Sequence, residues 1–173
     1  MTEFEKLPAY SAGQRTMVYA GVGSRRTPKH VLDTMVRVAQ RLEQRGYTLR
    51  SGGAQGADRA FEQGTTTCQV FYASDATDIT RTIAREIHPA PWALRGYVLD
   101  LMARNTLQVF GRGLDTPVDF LVCWTPDGAE TAAERTRNTG GTGQAIEMAA
   151  RKGIPVINMA RTGWQHRIAE LLD

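Results

Sequence analysis

The stretch VDFLVCW, residues 118 to 124, is almost continuously apolar. A strand that is covered on one face only alternates apolar and polar side chains. A strand of a parallel sheet is instead buried on both faces and is apolar along its whole length. The stretch therefore predicts a buried strand of a parallel β-sheet.

The segments around this strand alternate between strand-like and helix-like patterns. Pro28 precedes apolar residues at helical spacing and Gly46 follows them, which is typical of the start and end of a helix. Strands that alternate with helices form parallel sheets with helices on both faces, so we expect an α/β fold with one doubly wound sheet. The other predicted strands cover residues 17–23, 47–53, 68–73 and 154–159, and the predicted helices cover 28–46, 57–64, 78–111 with a break near 89, the segment after 143, and 161–173.

The expected domain covers residues 16–173. Residues 1–15 show no periodicity, and we expect them to form a loose leader. No internal repeat or low-complexity tract divides the rest of the chain.

The composition narrows the class of protein. Apolar residues make up 42% of the chain and charged residues 23%, as in ordinary globular proteins. No apolar run approaches the ~20 residues of a membrane span, the polar start is not a signal peptide, and both cysteines lie inside apolar runs. We therefore expect a cytoplasmic protein with reduced cysteines, no membrane association, no metal site and no cofactor.

The net charge is +3, and nearly all of the basic residues are arginine. Arginine suits bidentate contacts with phosphate or carboxylate groups. Codon bias in a GC-rich genome explains the same excess equally well. The arginines are not gathered in one run, as they would be in a nucleic-acid-binding arm.

Glycine-rich segments mark the expected site. In a doubly wound sheet, ligands bind outside the carboxyl ends of the strands, where the strand order reverses. Glycine lets backbone amides approach a ligand closely, and the first turn of a helix attracts anions, so SGGAQGAD and TGGTGQ both resemble phosphate cradles. Ordinary tight turns are the alternative, and neither segment is a Walker loop or a complete dinucleotide fingerprint. Four segments are expected to converge there: GVGSRR (21–26), SGGAQGAD (51–58), WTPDG (124–128) and TGGTGQ (139–144).

Two of these motifs resemble those of known families. SGGAQGADRAFEQG is similar to the motif after the second strand of DNA-processing protein A, and GGTGQAIE is similar to the PGGxGTxxE motif of the lonely-guy phosphoribohydrolases. LMARN, residues 101–105, resembles an arginine-containing helix segment that these families share. The chain thereby resembles the SLOG superfamily, in particular its small YspA-like proteins. The resemblance implies a Rossmann-like fold, a nucleotide-type ligand and a homo-oligomer.

The lonely-guy enzymes hydrolyse the N-glycosidic bond of nucleoside 5′-monophosphates with an arginine and a glutamate. By motif position these residues correspond here to Arg104 and Glu147. A carboxylate near the ribose can stabilise the oxocarbenium character that develops during cleavage. This chain departs from the motif at Thr139 and Gln144, which replace a proline and a threonine.

Further candidates have a structural alternative beside the functional one. Ser24 and Arg25 can contact a ligand or form a surface turn. Asp58 can accept a bond from a ribose hydroxyl or complement the dipole of its helix. Trp124 can stack on a base or pack in the core. The predicted ligand-binding residues are Gly23, Ser24, Arg25, Ser51, Gly52, Gly53, Gly56, Asp58, Asn105, Trp124, Gly140, Gly141, Thr142 and Gly143.

The polar segment 125–138 lies between a predicted site strand and a predicted site helix. It can act as a lid, with Arg135 and Arg137 closing on a ligand phosphate, or it can be a solvated loop. Three functions remain open: a nucleotide N-glycosidase, a non-catalytic binder of a nucleotide signal such as an ADP-ribose derivative, and a single-stranded DNA-binding module. Nucleic acid is the less favoured partner, because the chain has no basic run.

Overall fold

Five short parallel strands form one sheet in the computed structural model, which describes residues 1–173. The strand order is β3-β2-β1-β4-β5, so the sheet grows outward in both directions from β1 and reverses between β1 and β4. The expected doubly wound, Rossmann-like α/β fold is therefore confirmed. The strands are β1 (Val18–Gly21), β2 (Thr48–Ser51), β3 (Cys68–Val70), β4 (Phe120–Cys123) and β5 (Val156–Asn158), and the helices are α1 (Lys29–Gln44), α2 (Ala57–Gln63), α3 (Asp78–Ile87), α4 (Gly96–Phe110), α5 (Thr142–Arg151) and α6 (Trp164–Leu172).

Helices cover both faces of the sheet. Tyr19 of β1 stands opposite Leu49 of β2 and Phe120 of β4, and all three side chains pack with α1, α2 and α6. The next residue, Ala20, faces the other side, where α3, α4 and α5 pack. The four residues of β4 are all buried, as its unbroken apolar sequence predicted.

The strands are shorter than predicted at their carboxyl ends. The predicted strand 17–23 ends at Gly21, and the predicted strand 47–53 ends at Ser51. Val22 and Ser24 still donate to the carbonyls of Val122 and Trp124 but lie outside the regular strand, whereas Gly53, with a φ of +67°, turns the backbone after β2. The extra residues therefore belong to the loops at the carboxyl edge of the sheet.

The polar segment 125–138 is anchored to β5. The side chain of Asn158, which is fully buried, donates from Nδ2 to Thr125 Oγ1 at 2.7 Å and to the Ala129 carbonyl at 2.9 Å. The backbone amide of Asn158 donates to Glu130 Oε2 at 2.8 Å, and Arg167 pairs with the same carboxylate at 2.6 Å. The first half of this segment is therefore fixed to the domain and is not a freely solvated loop.

Residues 1–15 differ from the expected loose leader. Phe4 and Leu7 are buried in the core beneath α4 and α5, and the ring of Phe4 meets that of Phe110 edge to face. Lys152 Nζ donates to the Leu7 carbonyl at 2.7 Å, and the Tyr10 amide donates to the Lys152 carbonyl at 2.8 Å. Residues 11–15 are all exposed, and none of them joins the core. Two apolar residues without periodicity carry no local signal, so their burial depends on tertiary contacts.

We expect Phe4→Ala to lower the free energy of unfolding by about 3 kcal/mol, because truncating a buried phenylalanine removes apolar burial and leaves a cavity. Urea unfolding followed by circular dichroism measures the change. Trp92→Ala removes an aromatic side chain that is 74% exposed and serves as the control. If both variants unfold like the wild type, the N-terminal segment contributes nothing to the core.

Candidate functional site

A cleft of about 910 Å³ opens at the carboxyl edge of the sheet. Its walls come from the loops that follow β1, β2 and β3, from α4, and from the start of α5. It lies on the side of α4 and α5, beside the point where the strand order reverses between β1 and β4. The predicted site residues that line it are Gly23, Ser24, Arg25, Gly52, Gly53, Asp58, Arg104, Asn105, Gly140, Gly141 and Thr142.

Five predicted residues do not line the cleft: Ser51, Gly56, Trp124, Gly143 and Glu147. Ser51 points into the domain, where its hydroxyl donates to Glu62 Oε1 at 2.7 Å. Trp124 packs against the core on the opposite face of the sheet, which is the structural alternative considered for it. Gly143 lies against the guanidinium group of Arg135.

Arg104 joins α4 to the ends of two strands. Its Nη1 donates to the Gly52 carbonyl and, at 3.0 Å, to the Phe71 carbonyl, and its Nε donates to Asn105 Oδ1 at 3.3 Å. These acceptors are all neutral, although the side chain is buried. Burial lowers the pKa of Arg104, and the charge of Asp58 counteracts this effect. The cleft therefore contains a buried guanidinium group whose charge is not neutralised by a directly bonded carboxylate.

Asp58 occupies the first of the two glycine loops. Its Oδ2 accepts hydrogen bonds from the backbone amides of Gly52 at 3.1 Å and Ala54 at 3.4 Å. The amides that the sequence assigned to a phosphate thus already bind a carboxylate of the chain. The present position of Arg104 requires a glycine at residue 52, because a Cβ there would overlap Arg104 Nη1 and lie 2.8 Å from Asp58 Oδ2. Burial raises the pKa of Asp58 to about 6, although Arg104 works against this shift.

The second glycine loop, residues 139–144, has backbone amides that are not occupied by a side chain of the protein. Gly140 has a φ of +63° and turns the chain into α5, and the amides of Gly141 and Thr142 make no hydrogen bond within the protein. Asn105 Nδ2 donates to the Gly141 carbonyl at 3.3 Å and holds this turn against α4. Free amides at the start of a ten-residue helix attract an anion.

The two departures from the phosphoribohydrolase motif have side-chain partners. Thr139, which replaces the proline, donates from its hydroxyl to Asp127 Oδ2. Burial alone would raise the pKa of Asp127, but hydrogen bonds from Thr139, Thr136 and Thr125 hold it at about 2. Gln144, which replaces the threonine, donates to the Ala84 carbonyl at 2.9 Å. Both replacing residues therefore hold the loop and the start of α5 in place through side-chain hydrogen bonds.

Glu147 and Arg104, the expected catalytic pair, are not in contact. Glu147 Oε1 pairs with Arg135 Nη1 at 3.2 Å, and Oε2 pairs with Arg151 Nη2 at 2.6 Å. Arg135 comes from the polar segment and also contacts Gln144 Oε1. The arginine expected to close on a ligand phosphate is thus bound to the carboxylate, whereas Arg137 is exposed.

Sequence analysis missed other residues that line the cleft, among them Tyr72, Tyr97 and Gln108. Tyr72 and Tyr97 are 56% and 69% exposed, and Gln108 is fully buried. Tyr97 and Gln108 lie seven residues before and four residues after Arg104 on α4, which places all three on one face of the helix. That spacing was a usable signal. Tyr72 lies on a loop, where no periodic spacing indicates that it lines the cleft.

The structure contains no group of three or more histidine, cysteine, aspartate or glutamate side chains that could hold a metal ion. Both cysteines are free; Cys123 is buried and Cys68 is partly buried. No helix has the length and apolar character that a membrane span requires.

No protein-family model matches the sequence, and no curated protein matches it significantly. Among solved structures, the fold is similar to DNA processing protein A from Helicobacter pylori, with a TM-score of 0.55 and 14% sequence identity. The similarity covers 95% of this chain and 76% of that protein, whose structure was described for its single-stranded DNA binding mode. At this level of identity the similarity establishes the Rossmann-like fold alone.

The raised pKa of Asp58 predicts a pH-dependent stability. The carboxyl group titrates at about 6 in the folded protein, against an ordinary value of 3.8. Its contribution to stability is therefore fully present below about pH 4 and is lost as the pH rises through 6. Asp58→Asn removes the titration and keeps an oxygen that accepts hydrogen bonds. We expect its free energy of unfolding to rise relative to the wild type by up to about 3 kcal/mol between pH 4 and pH 7.

Urea unfolding at pH 4, 5, 6 and 7 measures this difference. Asp33→Asn, on the exposed side of α1, controls for the loss of one surface carboxylate. A difference between wild type and Asp58→Asn that stays constant over this pH range would contradict the raised pKa.

Proposed function

We propose that this protein binds a phosphate-bearing, nucleotide-type ligand in the cleft and that it belongs to the SLOG superfamily. One observation carries the proposal: the buried guanidinium of Arg104, bonded only to neutral acceptors, shares a cleft with the free amides of Gly141 and Thr142. A buried charge is costly unless an opposite charge compensates it. The charge of Asp58 offsets part of this cost, and an anionic group between α4 and the start of α5 would supply further compensation.

The phosphate group belongs at the second glycine loop. There the helix dipole and the free amides favour negative charge, and the exposed Arg25 on the facing loop adds a further positive group. The first loop is less suitable, because Asp58 already accepts its amides and repels an anion when ionised.

Asp58 is suited to a hydroxyl group of the ligand. Its Oδ2 accepts two backbone amides, whereas its Oδ1 makes no hydrogen bond in the protein. A ribose hydroxyl can donate to a free carboxylate oxygen. The exposed rings of Tyr72 and Tyr97 lie in the same cleft and offer surfaces on which a base can stack. Phosphate, sugar and base thus each have a chemical partner within one cleft.

The geometry favours binding without hydrolysis. For Glu147 to act on a ribose, its carboxylate would have to leave Arg135 and Arg151 and enter a cleft that it does not line. Breaking a buried ion pair is strongly unfavourable, on the order of 3 kcal/mol or more. We therefore propose the non-catalytic binder as the main function, with a homo-oligomer, as the SLOG resemblance implies, as part of the same proposal.

Paired substitutions at Gly141 test the amide site. Gly141 has a φ of −62°, which proline also adopts, so Gly141→Pro removes the amide hydrogen with little change of backbone. Gly141→Ala keeps the amide, and its added Cβ meets only the flexible end of Met102 at 3.0 Å. We expect Gly141→Pro to weaken nucleotide binding about tenfold or more, because a hydrogen bond to a charged group contributes roughly 1.5–3 kcal/mol. Gly141→Ala should bind like the wild type.

Isothermal titration calorimetry with nucleoside monophosphates and ADP-ribose measures these affinities, and chromatography of the same mixtures detects released base. We expect a bound nucleotide to raise the melting temperature and no base to appear. If none of these compounds binds the wild type, the proposal of a nucleotide site is wrong. Base that the wild type releases and Glu147→Gln does not would instead establish an N-glycosidase.

Single-stranded DNA binding is a second candidate, because two exposed tyrosines line the cleft and aromatic side chains stack successive bases in proteins that bind single strands. DNA processing protein A, which shares the fold, has a single-stranded DNA binding mode.

This candidate predicts oligonucleotide binding that weakens steeply with salt, because neutralised phosphates release counterions. Fluorescence anisotropy with a labelled oligonucleotide between 50 and 300 mM salt measures the slope. Tyr72→Ala and Tyr97→Ala should each weaken binding, since stacking contributes roughly 1–3 kcal/mol per base. Absent or salt-independent binding would exclude the candidate.

A further inference from the structure

Gln108 is the unusual polar side chain of the cleft. Only 1% of its surface is exposed, and neither Oε1 nor Nε2 has a hydrogen-bond partner. Buried polar atoms almost always have a partner, and a buried amide without one destabilises the folded protein. The other buried polar atom without a partner is the hydroxyl of Tyr19, whose ring packs against aromatic rings on the opposite face of the sheet. Gln108 alone combines an unsatisfied amide with a place in the cleft wall.

The neighbours of Gln108 on α4 do not share this property. Asn105 accepts from Arg104 Nε through its oxygen and donates to the Gly141 carbonyl through its nitrogen. Arg104, one turn before Gln108, is bonded to the loops after β2 and β3. The helix face thus presents one amide whose acceptor and donors are both unused.

We infer that Gln108 recognises the nucleobase of the ligand through a paired donor and acceptor on the base edge. The inference rests on the proposed function. A phosphate group only accepts hydrogen bonds and therefore leaves the amide oxygen unsatisfied. A base edge carries an adjacent donor and acceptor, and a glutamine amide pairs with such an edge through two hydrogen bonds, as with N6 and N7 of adenine. Both amide atoms are buried in the free protein, so in this proposal the side chain rotates about its flexible torsions to meet the base edge in the cleft.

This role separates base recognition from phosphate binding. The phosphate binds at Gly141 and Thr142, and the base edge binds at Gln108. Different groups of the protein therefore recognise the two ends of one ligand. Gln108 is neutral and discriminates by hydrogen bonding, which makes it a specificity-determining residue and not a source of charge. Its unsatisfied state in the free protein is relieved when a base enters.

Gln108→Leu tests the inference, since leucine fills a similar space without polar atoms. Two opposite effects are expected. The free variant should melt at a higher temperature than the wild type, because two unsatisfied atoms are removed. Its affinity for the best-bound nucleoside monophosphate should fall about tenfold or more, whereas its affinity for ribose 5-phosphate, which has no base, should stay within about twofold. A glutamine with no role in base recognition would give the same rise in melting temperature but not the selective loss of nucleotide affinity.

The control is Gln40→Leu, which makes the same change at an exposed position of α1, away from the cleft. Calorimetry with AMP, GMP, CMP, UMP and ribose 5-phosphate is carried out on all three proteins. Nucleotide affinity that is unchanged in Gln108→Leu overturns the inference while the proposed function stands. If ribose 5-phosphate, all four nucleotides and ADP-ribose fail to bind the wild type, the proposed function falls and this inference falls with it.

A second measurement uses the wild type alone and decides the matter if Gln108→Leu does not fold. The best-bound nucleotide is compared with an analogue that lacks a hydrogen-bonding group on the base edge. For AMP the analogue is purine riboside 5′-monophosphate, and for UMP it is 3-methyluridine 5′-monophosphate. A loss of about tenfold or more in affinity supports recognition of the edge. Equal affinity for nucleotide and analogue overturns it.

Discussion

The Arg104 guanidinium group connects the elements that form the walls of the cleft. From α4 it reaches across to the carbonyls of Gly52 and Phe71, at the ends of β2 and β3, and its Nε orients Asn105, which in turn holds the turn at Gly141. Both glycine loops are therefore connected to one buried charge. The close approach is possible because residue 52 has no side chain. The hydrogen bonds of Arg104 and Asn105 thus connect the loops after β2 and β3 to the start of α5.

The two buried carboxylates of the expected site, Asp58 and Glu147, have different environments. Asp58 lines the cleft and has a pKa raised by burial, so it changes charge close to neutral pH. Glu147 is held between Arg135 and Arg151 outside the cleft. A group that titrates near neutral pH inside a cleft is a candidate for contact with a ligand, whereas an ion-paired carboxylate outside it is a candidate for structure. The environment of each group, more than the motif around it, indicates its role.

The cleft is destabilising in the free protein. A guanidinium with neutral partners, a carboxyl group with a raised pKa and an amide without partners each oppose folding, and they are gathered in one place. Proteins tolerate such local costs where function requires them and offset them elsewhere. Here two apolar clusters on the two faces of the sheet, of 17 and 15 buried residues, supply the stability that the cleft does not.

The sequence by itself determined the fold and the location of the cleft. The unbroken apolar run of β4, the alternation of strands and helices, and the glycines after Gly21 and Ser51 are local patterns, and each is set by near neighbours in the chain. Tertiary structure alone decided which groups bind one another. Asp58 fills the first glycine loop, Arg135 pairs with Glu147, and Phe4 joins the core. The sequence shows which side chains carry a charge or can form hydrogen bonds. Which partner each of them binds depends on the distances between residues in the folded protein. Residues such as Arg104 and Gly52, 52 positions apart, meet only after the sheet has formed.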